Sequence, residues 1–302
     1  MKLNIDKTRS QADPYVISHN NEYFMYVTGT EGVNLYFSKD SLNWDRIGIC
    51  YKKENEKQYW APCVIELDGV FYMYVSSMPI GKEDTHEQRI QVAKSNSPYG
   101  PFEFIDFLIK PFSIDPHVVV SGNNLFMFYS TNNYDKGRVG TYVVVDKMLS
   151  PTKMNNKPQS VVVPTLDEEI FMKDRFKKGQ HWHTLEGAFY FKEGDYHYLM
   201  YSGNCYQNEH YYIGYAYSKD KSDDLTKIKF QKYPADNIYS PLICKNDKEE
   251  GTGHNSLLKI NGQYVVFYHG RDLNDNRDKE DKRTARICII APDKENIKVL
   301  KR

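Results

Sequence analysis

The chain of 302 residues contains no apolar run long enough to cross a membrane, and residues 1–6 do not resemble the apolar start of a secretory signal. It has five cysteines, an odd number without paired spacing: Cys50, Cys63, Cys205, Cys244 and Cys288. We therefore expect a cytoplasmic protein with reduced thiols. An excess of charge of one sign is also lacking, because 40 Lys and Arg balance 40 Asp and Glu. This balance makes nucleic acid and anionic membranes unfavourable partners.

A long helical period is missing too, and in its place the chain repeats one hairpin pattern five times. Each unit begins at an opening residue, continues through an apolar strand and a turn, and ends on a second apolar and aromatic strand. The opening residues are Asp13, Ala61, Asp115, Glu186 and His254. The units end 15 residues later at Thr28, Ser76, Ser130 and His269, and 16 residues later at Ser202.

The spacing of the units predicts the fold. Successive opening residues are 48, 54, 71 and 68 residues apart, which leaves room for about four short strands in each interval. Charged segments over residues 167–180 and 272–282 interrupt the pattern without suggesting a second domain. We therefore predict an all-β fold, a five-bladed β-propeller that forms a single domain over residues 1–302. Its blades open near residues 13, 61, 115, 186 and 254.

In such an array the opening residues lie at equivalent heights around one axis, so three acids and a histidine are expected to converge. Separated carboxyl groups across a pocket are what glycoside hydrolysis requires. Glu186 is the expected acid, because its apolar neighbours would raise its pKa. Asp13 is the expected base, and Asp115 is a third acid near Glu186. The alternative is that these are polar residues at strand starts that face solvent.

Histidines and arginines near these acids leave alternatives open. His254 is expected either to hold a metal ion or an ordered water, or to satisfy buried backbone groups. The sequence around His183, His181-Trp182-His183, resembles a two-histidine metal pair, but without a supporting Cys/His cluster a sugar contact or a structural role is favoured. We expect either Arg283 or Arg286 to point its guanidinium at Asp115 or at a substrate hydroxyl. The alternative for each is an ordinary surface arginine.

Five short motifs resemble the signature sites of glycoside hydrolase family 43, in order and over nearly the whole chain. They are Ala12-Asp13-Pro14, Trp60-Ala61-Pro62, Ile114-Asp115-Pro116, Leu185-Glu186-Gly187 and Gly253-His254-Asn255-Ser256. The resemblance implies a five-bladed propeller that hydrolyses glycosides with inversion. One residue departs from the pattern, since Cys63 stands where family members often have Asp after Trp-Ala-Pro.

The resemblance also implies a role for each matching residue. Asp13 would be the general base, Glu186 the general acid, and Asp115 the group that modulates the pKa of the acid and orients it. The remaining expected substrate contacts are Trp60, Ile114, His183, His254 and Arg283. Arg283 matches the family's active-site arginine because Ile287 follows it at the expected spacing. No cofactor is expected to be required, although some members hold a calcium ion through water near the position of His254.

The expected function is that of an inverting exo-glycosidase that removes terminal pentosyl residues, foremost α-L-arabinofuranosyl residues, from small plant-derived oligosaccharides. Family β-xylosidases usually carry a C-terminal β-sandwich that this chain lacks, and family endo-arabinanases are mostly secreted, so both are less favoured. A β-xylosidase is nevertheless the first alternative. A sugar-binding propeller without turnover and a glycoside phosphorylase are the others. The sequence leaves the sugar, the linkage and the oligomeric state open.

Overall fold

A computed structural model describes residues 3–135, 137–273 and 282–302 of the chain. Its regular structure consists of twenty-two strands and two short 3₁₀ turns at Thr85–Glu87 and Asp167–Glu169, counted over these residues. The prediction of an all-β fold is therefore confirmed. Among the same residues, no helix has the length and apolar character that crossing a membrane requires. Residues 274–281, most of the second charged segment, lie outside the described part.

The strands fall into five units that follow the predicted order. The first unit contains β1 (Tyr15–His19), β2 (Glu22–Val27), β3 (Val33–Ser38) and β4 (Asp45–Tyr51). The second contains β5 (Glu56–Leu67), β6 (Val70–Pro79), β7 (Arg89–Ser95) and β8 (Glu103–Phe107). The third contains β9 (Ser113–Ser121), β10 (Asn124–Asn133), β11 (Gly140–Ser150), β12 (Lys153–Met154) and β13 (Gln159–Val162). The fourth contains β14 (Ile170–Met172), β15 (Trp182–Glu193), β16 (Tyr196–Gly203), β17 (Tyr212–Ser218) and β18 (Gln231–Lys232). The fifth contains β19 (Glu249–Ile260), β20 (Gln263–Asp272), β21 (Thr284–Asp293) and β22 (Asn296–Lys301).

Short turns produce the hairpins that open the units. The two-residue turns Asn20-Asn21, Asp68-Gly69 and Asn261-Gly262 have positive φ at both positions. This is the geometry of a type I′ turn, which matches the twist of the strands it joins and favours Asn, Asp and Gly. The first two strands of each unit pair antiparallel as a result, for example with Val16 opposite Met25.

The units combine into four sheets. The first, second and fifth units are separate four-stranded sheets, while the third and fourth share a sheet of ten strands. A two-residue parallel pairing joins these two units, with Gly140 and Thr141 opposite His183 and Thr184. The shared sheet was not predicted from the sequence, because the hairpin pattern specifies pairing within a unit and contains no signal for a bridge between units.

Buried apolar side chains hold successive units together. Five clusters lie between the first and second, second and third, third and fourth, fourth and fifth, and fifth and first units. In the last of these, Val16 and Met25 of the first unit pack with Phe267 and Ile287 of the fifth. The first strands also touch in this order, β1 with β5, β5 with β9, β9 with β15, β15 with β19 and β19 with β1. The sequence of contacts thus returns to the unit where it began.

Hydrogen bonds from side chains two residues after an opening residue connect neighbouring units. The Ser256 hydroxyl donates to the Pro14 carbonyl at 2.8 Å and accepts from the Val16 N–H at 3.0 Å, which joins the fifth unit to the first. At the equivalent position of the second unit, the Cys63 sulfur accepts from the Val118 N–H at 3.3 Å. The cysteine that departs from the family pattern is therefore fully buried and connects the second unit to the third.

Replacing Ser256 with alanine should destabilise the protein, because it leaves a buried carbonyl and a buried N–H without their partner. We expect the free energy of unfolding to fall by about 1–3 kcal/mol, measured by urea denaturation. Ser160→Ala, at an exposed strand position, is the control and should change stability by less than about 0.5 kcal/mol. Equal effects of the two substitutions would contradict the connecting role of Ser256.

Candidate active site

One pocket of about 620 Å³ receives side chains from all five units and from the segment before β1. Seven of the eight predicted site residues line it: Asp13, Trp60, Ile114, Asp115, Glu186, His254 and Arg283. The three acids are thus brought together as the repeat predicts. Asp13 and Asp115 are both less than a tenth exposed, so the alternative of solvent-facing acids at strand starts is wrong for them.

The eighth predicted residue, His183, is not among those lining the pocket. Its ring is buried, with Nδ1 3.1 Å from the Val139 carbonyl and Nε2 3.0 Å from the Arg138 guanidinium. These contacts connect the start of β15 to the loop before β11, beside the pairing that joins the third and fourth units. A contact between His183 and substrate stays a prediction.

The backbone is left-handed at or next to each opening residue, and four of the five opening side chains line the pocket. Asp13, Ala61, Asp115 and His254 have φ between 48° and 58°, in the left-handed region, and Gly187 has φ 64° in the fourth unit. The strand register shifts beside four of these residues, which marks a β-bulge at each: Ala61, Asp115, Gly187 and His254. Bulges redirect side chains near active sites, and non-glycine residues in this region are strained. A Cβ atom on Gly187 would lie 3.1 Å from the His254 ring, so glycine suits this bulge.

Asp13 lies among groups that stabilise its charge. The Thr28 hydroxyl donates to Oδ2 at 2.5 Å, while Oδ1 lies 3.4 Å from both His254 Nδ1 and Arg283 Nη1. Burial by itself disfavours the carboxylate, but His254, the Arg283 guanidinium and the contact with His269 together outweigh burial and hold the pKa of Asp13 well below its usual value. Asp13 is therefore ionised at neutral pH.

Asp115 and Glu186 titrate in the opposite direction. Burial raises the pKa of Glu186 to about 7, with a further contribution from the Asp13 charge, although the hydrogen bond from Tyr211 opposes the shift. Burial, followed by the charges of Glu186 and Asp13, also raises the pKa of Asp115 well above its usual value. These two carboxyl groups titrate as a pair. The pocket thus combines an ionised carboxylate with a pair that retains a proton near neutral pH, the combination that an acid–base reaction requires.

Comparison with known proteins agrees with this site. A family model described as glycosyl hydrolases family 43 matches residues 7–292, nearly the whole chain.

The chain belongs to this family.

It is therefore a glycoside hydrolase, and family 43 enzymes act with inversion. The resemblance of the five motifs to this family is confirmed.

Individual relatives of this family 43 enzyme differ in the activity that their names state. The chain is 24% identical over 293 residues to an extracellular exo-α-(1→5)-L-arabinofuranosidase of Cellvibrio japonicus, with 87% of this chain and 80% of the relative covered. It is 27% identical over 225 residues to a probable arabinan endo-1,5-α-L-arabinosidase of Aspergillus oryzae, with 64% of this chain and 61% of the relative covered. The solved structure of a thermostable family-43 glycoside hydrolase superimposes with a TM-score of 0.79 at 25% identity, covering 96% of this chain and 93% of that one.

Several residues of the family 43 site were not predicted from the sequence. The Tyr211 hydroxyl donates to Glu186 Oε1 at 2.8 Å, and the Tyr206 ring lies 4.6 Å from the Arg283 guanidinium carbon. Both tyrosines lie between β16 and β17, outside the repeated hairpin, so the repeat contains no signal for them. Thr28 and His269 could have been found, because both are end residues of a unit.

Three of the five end residues connect one unit to the next. The Thr28 hydroxyl accepts from the Ala61 N–H at 2.9 Å, and the Ser202 hydroxyl accepts from the His254 N–H at 2.7 Å. In the fifth unit His269 takes this place, and its Nδ1 accepts from the Asp13 N–H at 3.1 Å. In each case the end residue of one unit binds the opening residue of the next. Burial lowers the pKa of His269 to about 4, so the ring is neutral at neutral pH, and the role of Nδ1 as acceptor corresponds to the tautomer with its proton on Nε2.

Few side-chain donors lie near His254 for a metal ion. Among residues 3–135, 137–273 and 282–302, no group of three or more His, Cys, Asp and Glu side chains is arranged to hold a metal ion. His254 and Asp13 are adjacent, and a hard cation such as calcium would need further oxygen ligands, which water could supply. A calcium ion held through water near His254 stays a prediction.

The carboxyl pair predicts the basic limb of the pH profile. Because the Glu186 and Asp115 pair must keep a proton and the pKa of Glu186 is about 7, kcat/KM should fall as pH rises above about 7. The low pKa of Asp13 should keep the rate high well into the acid range. Glu186→Gln should slow substrates with poor leaving groups by roughly 10²–10⁴-fold and an activated aryl glycoside far less.

Asp13→Asn removes the base and should slow all substrates alike, which separates the two roles. Glu103→Gln, at an exposed position of β8, is the control and should leave the profile unchanged. If Glu186→Gln slowed good and poor leaving groups equally, Glu186 would not be the proton donor.

Replacing His269 tests whether it positions the base. His269→Ala removes the acceptor of the Asp13 N–H, so we expect kcat to fall by roughly 10–100-fold through misplacement of the carboxylate, with KM little changed. His269→Gln retains an acceptor and should recover part of the loss.

His197→Ala is the control, since His197 is equally buried but contacts the Tyr190 hydroxyl far from the pocket lining. It should reduce stability without the fall in kcat. A rise in KM with unchanged kcat in His269→Ala would contradict the positioning role.

Proposed function

We propose that this family 43 enzyme is an exo-acting glycosidase that removes terminal α-L-arabinofuranosyl residues from arabinose-containing oligosaccharides. The observation that carries the reaction type is the opposite titration of Asp13 and the Asp115–Glu186 pair within one pocket. A base that is ionised and an acid that is protonated at the same pH are what a single-displacement hydrolysis needs.

The proposed reaction divides the work among the three acids. Asp13 takes a proton from a water molecule, which attacks the anomeric carbon from the side opposite the leaving group. Glu186 gives its proton to the glycosidic oxygen as that bond breaks, and the hydrogen bond from Tyr211 orients its carboxyl group. Asp115 accepts from the Gly187 N–H at 3.0 Å, next to the acid, and therefore acts on the position and pKa of Glu186. The anomeric configuration inverts because a single displacement occurs.

We also propose that the five units close into a five-bladed propeller around this pocket. The hydrogen bonds of Ser256 with the first unit and the bond from the Asp13 N–H to His269 support closure between the fifth and first units. The cluster of Val16, Met25, Phe267 and Ile287 at the same boundary supports it as well.

The residues that line the pocket suggest where the rest of the substrate lies. Beyond the acids, its lining continues through the first unit and the segment before it, with Arg9, Asn34 and Arg46 among the residues there. We therefore place the terminal sugar at the acids and the rest of the substrate over the first unit. The Cellvibrio relative named as an exo-arabinofuranosidase supports the same mode and the same sugar.

Other functions remain as alternatives to be tested. The Aspergillus relative named as an endo-arabinosidase favours internal cleavage of arabinan, and a β-xylosidase is the alternative with another sugar. A cytoplasmic location stays a prediction, since the Cellvibrio relative is named extracellular. Membership of the hydrolase family and the presence of all three acids argue against the alternatives of a glycoside phosphorylase and a binding protein without turnover.

A panel of aryl glycosides tests the sugar. We expect turnover of the α-L-arabinofuranoside to exceed that of the β-D-xyloside and the β-D-galactoside in buffer without phosphate. A clearly better xyloside would reject arabinofuranose as the substrate sugar, and release that depends on phosphate would indicate a phosphorylase.

Proton NMR of the sugar that forms first tests the mechanism. We expect the inverted anomer, and added azide should give no glycosyl azide of retained configuration. The carboxyl groups of Asp13 and Glu186 should be roughly 6.5–9.5 Å apart, which leaves room for water. A retained anomer would make Asp13 a nucleophile.

A further inference from the structure

Two large aromatic side chains lie side by side on the surface, outside the pocket. Tyr134 follows β10 and is 57% exposed, and Phe176 precedes β15 and is 58% exposed. Their ring centroids are 6.5 Å apart, and both rings contact Trp182, which is buried beneath them. Adjacent exposed aromatic rings on a buried support are typical of a surface that a ligand covers.

The loop that carries Phe176 is ordered by its own hydrogen bonds. Asp174 Oδ1 accepts from the Gly179 N–H at 2.6 Å, and the Arg175 N–H donates to the Gln180 carbonyl at 3.1 Å. The Arg175 guanidinium lies 4.4 Å from the Trp182 ring and 3.1 Å from His86 Nε2 of the second unit. A surface held in place in this way loses little conformational entropy when a ligand binds.

Positive charge is concentrated in the segment that carries Phe176, although the whole chain is neutral and Asp135 follows Tyr134. Residues 173–178 contain four cations, Lys173, Arg175, Lys177 and Lys178, against the single acid Asp174. The three lysines are exposed, and the ion pairs of the described residues include none of them. Their charges are therefore available to a ligand, and a cluster of one sign attracts an anion. The net charge of the whole chain therefore does not reveal this local excess of positive charge.

The surface lies on the same side of the fold as the acids. Trp182 is the first residue of β15 and Glu186 is four residues further along, so at 3.3 Å per residue the two are about 13 Å apart. Tyr134 comes directly after β10. Near that end of β10, Thr131 pairs with Ser113, and Ser113 is two residues before Asp115. A ligand on this surface would thus lie near the pocket without occupying it, because neither ring lines the pocket.

We propose that Tyr134, Phe176, Lys173, Lys177 and Lys178 form a second carbohydrate-binding site, for a saccharide that bears uronate carboxylates. The aromatic rings provide flat apolar contact for the C–H faces of sugar rings, and the lysines bind the carboxylates. Such a site would hold an acidic polysaccharide beside the pocket while the enzyme removes neutral sugars attached to it. The choice of a saccharide over other polyanions rests on the proposed function.

The test measures binding of the full chain to polygalacturonate by affinity gel electrophoresis, with neutral galactan as the uncharged match. Polygalacturonate should retard the wild-type protein at low salt, and salt should weaken the retardation. Phe176→Ala and the double variant Lys177→Gln/Lys178→Gln should each weaken binding by roughly tenfold. Turnover of an aryl glycoside should stay at the wild-type level in all variants, since none of these residues lines the pocket.

The double variant Lys221→Gln/Lys229→Gln is the matched control. It removes the same charge from exposed lysines in the segment after β17 and should leave binding unchanged. No retardation of the wild type, or equal loss in both double variants, would overturn the proposal.

A single-stranded oligonucleotide or anionic vesicles that bound as tightly as polygalacturonate, with the same dependence on Phe176, would overturn the assignment to a saccharide. Binding is measured without turnover, so failure of the proposed glycosidase activity and failure of this site give different results.

Discussion

The contacts of Asp13 connect the fold and the chemistry of this enzyme. Its N–H donates to His269 of the fifth unit, its carboxylate accepts from Thr28 of the first, and Arg283 of the fifth unit lies beside the same carboxylate. The residue that carries the ionised base therefore also joins the last unit to the first. A change that separated these units would move the base, and a change at the base would disturb the boundary between them.

Burial of three carboxyl groups in one pocket explains the electrostatics of the site. An isolated buried charge is costly, so a carboxyl group there either finds a compensating partner or keeps its proton. Arg283 lies next to Asp13 and stabilises its carboxylate. The negative charge of Asp13 in turn raises the pKa of Asp115 and of Glu186. Proximity to Arg283, His254 and His269 thus separates the base from the two acids, although all three carboxyl groups open units of the same pattern.

The repeated hairpin provides a scaffold whose opening positions are alike in backbone and different in chemistry. The left-handed conformation recurs at Asp13, Ala61, Asp115 and His254, and the fourth unit shifts it by one residue to Gly187. The same bulge therefore presents an acid in one unit and a methyl group in another. At the second unit the small Ala61 leaves the pocket wall to the neighbouring Trp60.

Much of this enzyme can be read from the order of its residues. Alternation of apolar residues and the Asn and Gly turns determine the hairpins, because pairing within a unit depends on neighbours in the chain. The nearly constant distance between opening and end residues predicted that the acids share one pocket, and the family motifs distinguished Asp13 from Glu186. Tertiary packing decided the rest. Tyr211 reaches Glu186 from a loop outside the repeat, and His183 lies beside the pairing of β11 with β15 rather than in the pocket. The proton on His269 and the pKa of each acid depend on burial and on charges from other units. These quantities arise from distances across the fold, which spacing along the chain does not specify.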